Sequence, residues 1–290
     1  MDLLYAQWKV HPPHTLACTP YSIKGWSWAA LRTCFFIPEL GIMLDAGLPF
    51  AGIPEMIFIT HTHSDHINNL PLALLDATEE KSPTIFVPPK SRTLVINYID
   101  AHYRMSTHCT RTPHIHKCYN IYEVYPESTL ELDIKNRQFS VEIIKCFHSI
   151  PCVGYGFSEK RKKLRQDLID LPGKEIKKLK DSGEDITYVV SIPLFCYIGD
   201  TTETVFKNEN IFNYPTIITE CTFIYPEHME EADENKHSHW DRLRTIILSH
   251  PDNNFILYHF SQRYKPEDII SFFETVGKPD NVTLWVLQKS

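Results

Sequence analysis

The segment His61-Thr62-His63-Ser64-Asp65-His66 places four metal-binding side chains within six residues, directly behind the apolar run Met56-Ile57-Phe58-Ile59-Thr60. An apolar run of this length reads as a buried strand, so the motif sits where a core strand gives way to a loop. Neutral imidazoles and a carboxylate are the donor set of zinc and other first-row divalent metals. Histidines two apart point to one side of an extended chain, whereas the adjacent Asp65-His66 pair diverges. That geometry favours two neighbouring ions over one. The bland alternative is a polar loop with incidental histidines in a chain that has 15 of them.

Two ions need more donors than one loop carries, and the rest of the chain offers them at other strand ends. Residues 34–38 and 41–45 read as a hairpin turning at Glu39-Leu40. Strands are expected at 56–60, 84–87, 118–124, 138–147, 194–198, 216–220, 254–258 and 282–287. Helices are expected at 67–77, 91–103, 239–249 and 266–276, from apolar residues on a helical period. Such a series suggests sheets packed between helices, an α/β architecture. His148, Asp200, Glu220 and His259 each follow a strand, as His61 does, and such loops let a rigid scaffold position reactive groups. No internal repeat is visible.

Hydrophobic and charged contents of 43% and 22% describe an ordinary globular chain. The N-terminal stretch MDLLYAQWKV has no basic-then-apolar signal pattern, and no apolar run approaches a membrane span. The eight cysteines form no C-x-x-C pair, which points to a reduced intracellular compartment, cytoplasmic or nuclear. Net charge is −7, yet residues 158–180 hold nine bases against four acids. Those bases are Lys160, Arg161, Lys162, Lys163, Arg165, Lys174, Lys177, Lys178 and Lys180. A solvated helical surface accounts for them, and so does an electrostatic footprint for a polyanion.

The quoted motif is the H-x-H-x-D-H signature, and with its companions the chain resembles the metallo-β-lactamase superfamily. Within it the closest likeness is to the tRNase Z branch in its short, plant-type form. The likeness rests on Arg32–Gly47, the 61–66 motif, Phe147-His148 with Gly154-Tyr155, and the stretch 171–187. It rests also on Gly199-Asp200-Thr201-Thr202, Glu220-Cys221-Thr222-Phe223, His237-Ser238-His239, and Tyr258-His259-Phe260-Ser261 with Arg263-Tyr264.

The resemblance implies a four-layer αββα sandwich over residues 1–290, with an inserted basic arm at 158–190 that grips tRNA. It implies two Zn²⁺ ions, with Mn²⁺ or another divalent metal as a substitute. His61, His63 and His148 would hold one ion, Asp65, His66 and His259 the other, and Asp200 would bridge them. Asp65, Glu220 and His237 are the implied catalytic residues, the last two as a proton-donating pair, and the sequence leaves His239 open in place of His237. The implied reaction is endonucleolytic removal of 3′ trailers from precursor tRNA or other structured RNA, by metal-activated hydroxide, leaving a 3′-hydroxyl. A homodimer is implied too. The alternatives are broader RNA, DNA or β-lactam hydrolysis on the same fold, and an RNA-binding protein with a silent metal site. The stretch Tyr21–Thr33 lacks the P-x-K-x-R-N loop common in the family, and Thr219 stands where a His usually precedes the Glu.

Overall fold

The computed structural model describes residues 13–50, 52–108 and 117–286. The first ten residues, Cys109 and the expected strand end at Leu287 lie outside the described residues. Fourteen strands among the described residues form two seven-stranded sheets with the same connectivity. The first sheet contains β1 His14–Thr15, β2 Ser22–Trp28, β3 Arg32–Ile37, β4 Ile42–Leu44, β5 Met56–Phe58, β6 Thr84–Val87 and β7 Asn120–Glu123. Its first four strands pair antiparallel and its last four parallel. The second sheet contains β8 Thr129–Ile134, β9 Arg137–Lys145, β10 Val153–Leu164, β11 Thr187–Tyr197, β12 Thr216–Glu220, β13 Asn254–Tyr258 and β14 Val282–Leu284. It repeats the order, antiparallel from β8 to β11 and parallel from β11 to β14.

Strand alternation builds the layers. Phe58, Phe86, Ile218, Ile256 and Tyr258 turn inward to an apolar layer shared by both sheets, with Phe35, Tyr155, Phe157, Phe195 and Tyr197. Their neighbours Ile57, Ile59, Ile85, Val87, Ile217, Phe255 and Leu257 turn outward. There they meet helix residues such as Val95 and Ile99 on one side, and Trp240, Leu243 and Phe273 on the other. Sheets buried on both faces between helices make the α/β sandwich that the sequence predicts.

Several element boundaries differ from expectation. The predicted helix 67–77 is two short helices, Ser64–Ile67 and Leu70–Ala73, the second with Pro71 in its first turn. Pro71 lacks the amide hydrogen that would continue the first helix into the second. The expected strand 194–198 is the inner end of the longer β11. Strands β2 and β8 alternate apolar with polar residues, and β10 passes from a glycine-broken apolar start to a basic run, so no apolar run announces them. The basic stretch 158–190 is the outer half of the β10–β11 hairpin plus helix Gly173–Asp181. A register shift at Phe157/Ser158 marks the departure, burial ends after Glu159, and the helix has no buried residue. No helix among the described residues is long and apolar enough to cross a membrane.

Candidate metal centre

The ends of the central strands converge on a cleft of about 600 Å³ lined by His63, Asp65, His148, Asp200, His237 and His259 among others. β5 runs into Thr60 and His61, β9 into His148, β11 into Asp200, β12 ends at Glu220, and β13 runs into His259. Glycines permit the tight approach. A Cβ on Gly47 would stand 1.9 Å from the Asp65 carbonyl oxygen, and one on Gly199 would meet the Thr60 Cβ at 2.7 Å.

Three overlapping groups of side chains meet there: His61, His63, His148 and Asp200, then Asp65, His66 and His259, and a third that joins Asp200 and His259 to His237. In the first, His63 Nδ1 lies 3.1 Å from both His61 Nε2 and His148 Nε2. In the second, His66 Nε2 lies 3.3 Å from His259 Nε2 and 3.4 Å from Asp65 Oδ2, and His259 Nε2 lies 3.2 Å from Asp65 Oδ2. Asp200 reaches both groups, with Oδ2 3.6 Å from His61 Nε2 and 3.4 Å from His259 Nε2, and Oδ1 3.4 Å from His66 Nε2. Metal–ligand bonds of about 2.0–2.1 Å in a tetrahedron imply donor separations of about 3.3–3.4 Å. The observed spacings cluster at that value.

The hydrogen-bond network settles which nitrogen of each ring offers its lone pair. Asp45 is a buried carboxylate that only accepts, taking Thr60 N–H at 2.7 Å, Tyr197 O–H at 2.7 Å, Thr60 O–H, and His66 Nδ1–H at 2.8 Å. The Thr60 hydroxyl proton points to Asp45, so the Thr60 oxygen accepts from His61 Nδ1–H at 3.0 Å. The Thr222 hydroxyl donates to Glu220 Oε2, so its oxygen accepts from His259 Nδ1–H at 3.1 Å. The Lys236 carbonyl accepts from His148 Nδ1–H at 3.0 Å. Four rings thus turn their Nε2 into the cluster, as the outer partners of metal-bound histidines make them do.

Charge tells the same story. Burial, reinforced by neighbouring imidazoles, holds His61 well below its ordinary value, and His63 and His148 are lowered by burial first. All three are therefore neutral, the form that ligates. Burial also opposes charge on His66, but Asp200, Asp45 and Asp65 outweigh it and raise His66 well above its ordinary value. Burial would raise Asp65, yet His66 and His259 hold it well below the usual carboxylate range. Three carboxylates around one imidazole call for positive charge. Asp200 Oδ1 is buried without a hydrogen-bond partner, an orphan that a cation would satisfy. These residues fit a divalent metal.

Beside the cluster, Glu220 Oε1 accepts from His237 Nδ1 at 2.9 Å and from Thr201 N–H at 2.8 Å. Its Oε2 accepts from Thr222 and from Ser238 N–H at 3.2 Å. Burial lowers His237, but Glu220 and then Asp200 overcome this and bring it to about 9. His239 is placed differently. It is fully buried, caps helix Trp240–Ser249 by accepting Asp241 N–H at 3.1 Å, and bonds the Tyr225 carbonyl through Nε2 at 2.9 Å. The cleft therefore has His237 and not His239. Sequence reasoning missed Asp45, Thr60 and Thr222. Asp45 follows β4 as His61 follows β5, and that strand-end position was its only signal.

The basic residues lie away from the cluster. Lys160 pairs with Glu131, Arg161 with Glu159, and Arg165 with both Asp167 and Glu184. Among the described residues, Lys162, Lys163, Lys174, Lys177, Lys178 and Lys180 have no ion pair. Cys18, Cys34, Cys146, Cys152, Cys196 and Cys221 are free.

No family model matches the chain. The chain is 32% identical over 268 residues to the chloroplastic tRNase Z TRZ2 of Arabidopsis thaliana, spanning 86% of this chain and 70% of that protein. It is 30% identical over 257 residues to tRNase Z TRZ1 of the same plant, spanning 86% and 88%. In structure it is similar to human tRNase Z, short form, with a TM-score of 0.52 at 18% identity, covering 91% of this chain and 95% of that one. It is similar also to the metallo-β-lactamase fold protein YhfI of Bacillus subtilis, with a TM-score of 0.55 at 13% identity, covering 93% and 99%. The structural likenesses establish the metallo-β-lactamase fold, and the plant relatives, matched over most of both chains, establish the closer kinship: this chain belongs to the tRNase Z family.

Proposed function

We propose that this protein is a metal-dependent endoribonuclease that cuts precursor tRNA on its 3′ side, freeing the trailer and leaving a 3′-hydroxyl. The observation that carries the reading is the arrangement of two donor groups sharing Asp200, with the Glu220–His237 pair on the same cleft. The names of the plant relatives supply the substrate. We assign one Zn²⁺ to His61, His63 and His148 and a second to Asp65, His66 and His259, with Asp200 between them. Two divalent ions supply charge neutralisation at the phosphate and a water of lowered pKa.

The chain's own residues do the rest. Asp65 Oδ2 is steadied by Ala30 N–H at 2.9 Å and orients the attacking water or takes its proton. Glu220 keeps the proton on His237 Nδ1, so an imidazolium has Nε2–H for the departing ribose 3′-oxygen. Thr222 ties this pair to His259, so the proton donor and the metal ligands share one hydrogen-bonded frame. Lys162, Lys163 and the four lysines of helix Gly173–Asp181 form the surface we assign to tRNA phosphates, where shape and charge suffice for binding. Family likeness supports a homodimer, and the absence of any C-x-x-C pair among the eight cysteines supports a reducing compartment, cytoplasmic or nuclear.

The test is precursor tRNA carrying a 3′ trailer, with and without chelator, and the cut mapped. Cleavage at the trailer junction that chelation abolishes is the expected result. A zinc-loaded protein that cuts no structured RNA, or turns over a chromogenic cephalosporin faster than RNA, defeats the reading.

A further inference from the structure

Two side-chain amides, Asn235 and Gln262, line the cleft beside Asp65, Asp200, His237 and His259, and both are exposed. Gln262 is the one held in place: its Nε2–H donates to the Ala29 carbonyl at 2.9 Å. A carbonyl only accepts, so the end of the amide that faces it is the NH2. One N–H of Nε2 is left over, and among the described residues nothing donates to Gln262 Oε1. The Ala29 carbonyl and the Ala30 N–H belong to one peptide unit. That N–H donates to Asp65 Oδ2 at 2.9 Å, and the Ala29 N–H donates to the Phe260 carbonyl at 3.1 Å. The Gln262 amide therefore stands one peptide plane away from Asp65, on a fixed turn. Arg263 lies next to it and, histidines aside, is the one cationic side chain on the cleft among the described residues. Its Nε–H donates to Ser261 Oγ at 3.1 Å, and Nη2 pairs with Glu231. Nη1 keeps its two N–H groups, and a planar guanidinium suits a phosphate.

We propose that Gln262 reads the base of the unpaired nucleotide beside the bond that is cut, through its remaining N–H and Oε1, while Arg263 meets the phosphate of that nucleotide. The inference rests on the endoribonuclease reading and deepens it. A donor beside an acceptor matches adenine, whose N6 amino group and N7 offer the complement, as in other glutamine–adenine pairs. A base splayed out of a single strand exposes such an edge, so the nucleotide must be unpaired. Gln262 sets which substrate is preferred and takes no part in the proton transfers.

The test uses two sets of precursor tRNA and bis(p-nitrophenyl) phosphate, which presents no nucleobase. One set carries each of the four bases in the last nucleotide kept, the other in the first nucleotide released. For the wild type, kcat/KM is expected to favour adenine by roughly 5- to 150-fold at one of the two positions, the range of a good bidentate pair. Gln262→Ala should erase that preference. Gln262→Glu should erase it too, because a carboxylate has no donor for N7. Both variants should lose far less on the small diester than on the adenine substrate. Arg263→Gln should keep the preference and lower the slope of log(kcat/KM) against log salt by about one. A wild type indifferent to the base at both positions overturns the proposal, and so does a preference that survives Gln262→Ala. Equal losses on diester and tRNA overturn it as well, and make Gln262 a prop for the Ala29–Ala30 turn. A wild-type enzyme that hydrolyses the small diester but cuts no RNA overturns the endoribonuclease reading, and the base reading with it.

Discussion

Asp45 touches no part of the cleft surface, yet it directs His66 and, through Thr60, His61. Replacing it by Asn keeps the shape but puts an amide where a carboxylate accepted four hydrogen bonds. Outer partners of this kind are worth about 10–100-fold in metal affinity or activity. Asp45→Asn is therefore expected to lose metal to a competing chelator that far sooner, read by metal content after dialysis. The two histidines of the 237–239 stretch should separate cleanly. His237→Ala should retain its metals and lose about 10²–10⁴-fold in cleavage rate, the scale of general acid help. His239→Ala should fold less stably by about 0.5–2 kcal/mol, as a lost helix cap does, with denaturant midpoints as the measure. Loss of metal from His237→Ala would make it a ligand. Thr219 offers a quieter check. Its hydroxyl is buried without a partner, and Thr219→Val should leave the melting temperature unchanged or raise it, because an orphaned polar group is removed.

At the scale of elements, the sequence announced strands by apolar runs and donors by their place at the ends of those runs. That logic located β5, β12 and β13 and the groups that follow them. It failed where strands face solvent or run out along the hairpin, because alternating polar residues such as those of β8 have no continuous apolar signature. It failed also for Asp45 and His259 as backbone features. Both adopt a left-handed conformation, with φ of 57° and 63°, which costs about 1–3 kcal/mol in a residue other than glycine. Each turns its side chain back toward the cluster at once, and no residue code advertises that choice. The basic hairpin shows the opposite case, a segment visible by charge whose structure divides its cations into two sets. Those paired with Glu131, Glu159, Asp167 and Glu184 fasten the hairpin, and the six unpaired lysines are the ones we assign to RNA. Replacing Lys174, Lys177, Lys178 and Lys180 by Ala should weaken precursor tRNA binding and flatten its salt dependence, measured by titration at several ionic strengths. The small diester should be hit far less. Equal damage on both would remove the hairpin from the binding surface.

For the whole molecule, the crowding of Asp45, Asp65 and Asp200 around buried imidazoles predicts that metal contributes to stability. Chelation should lower the melting temperature and added zinc restore it, by about 2.7 kcal/mol per site when free ion stands at 100 times its dissociation constant. An unchanged melting curve would show that protons alone neutralise the cluster.

The two sheets share one connectivity, and the link between them is the short passage from Glu123 to Thr129. Neither donor group belongs to one half. His61 and His63 come from the first sheet's loops, while His148 and Asp200 come from the second's. Asp65 and His66 come from the first, and His259 from the second. Each ion would therefore rivet one half of the chain to the other, much as a disulfide joins two chains. A protein cut within 124–128 would leave two pieces with no complete site between them. Metal would then be the reagent that reunites them.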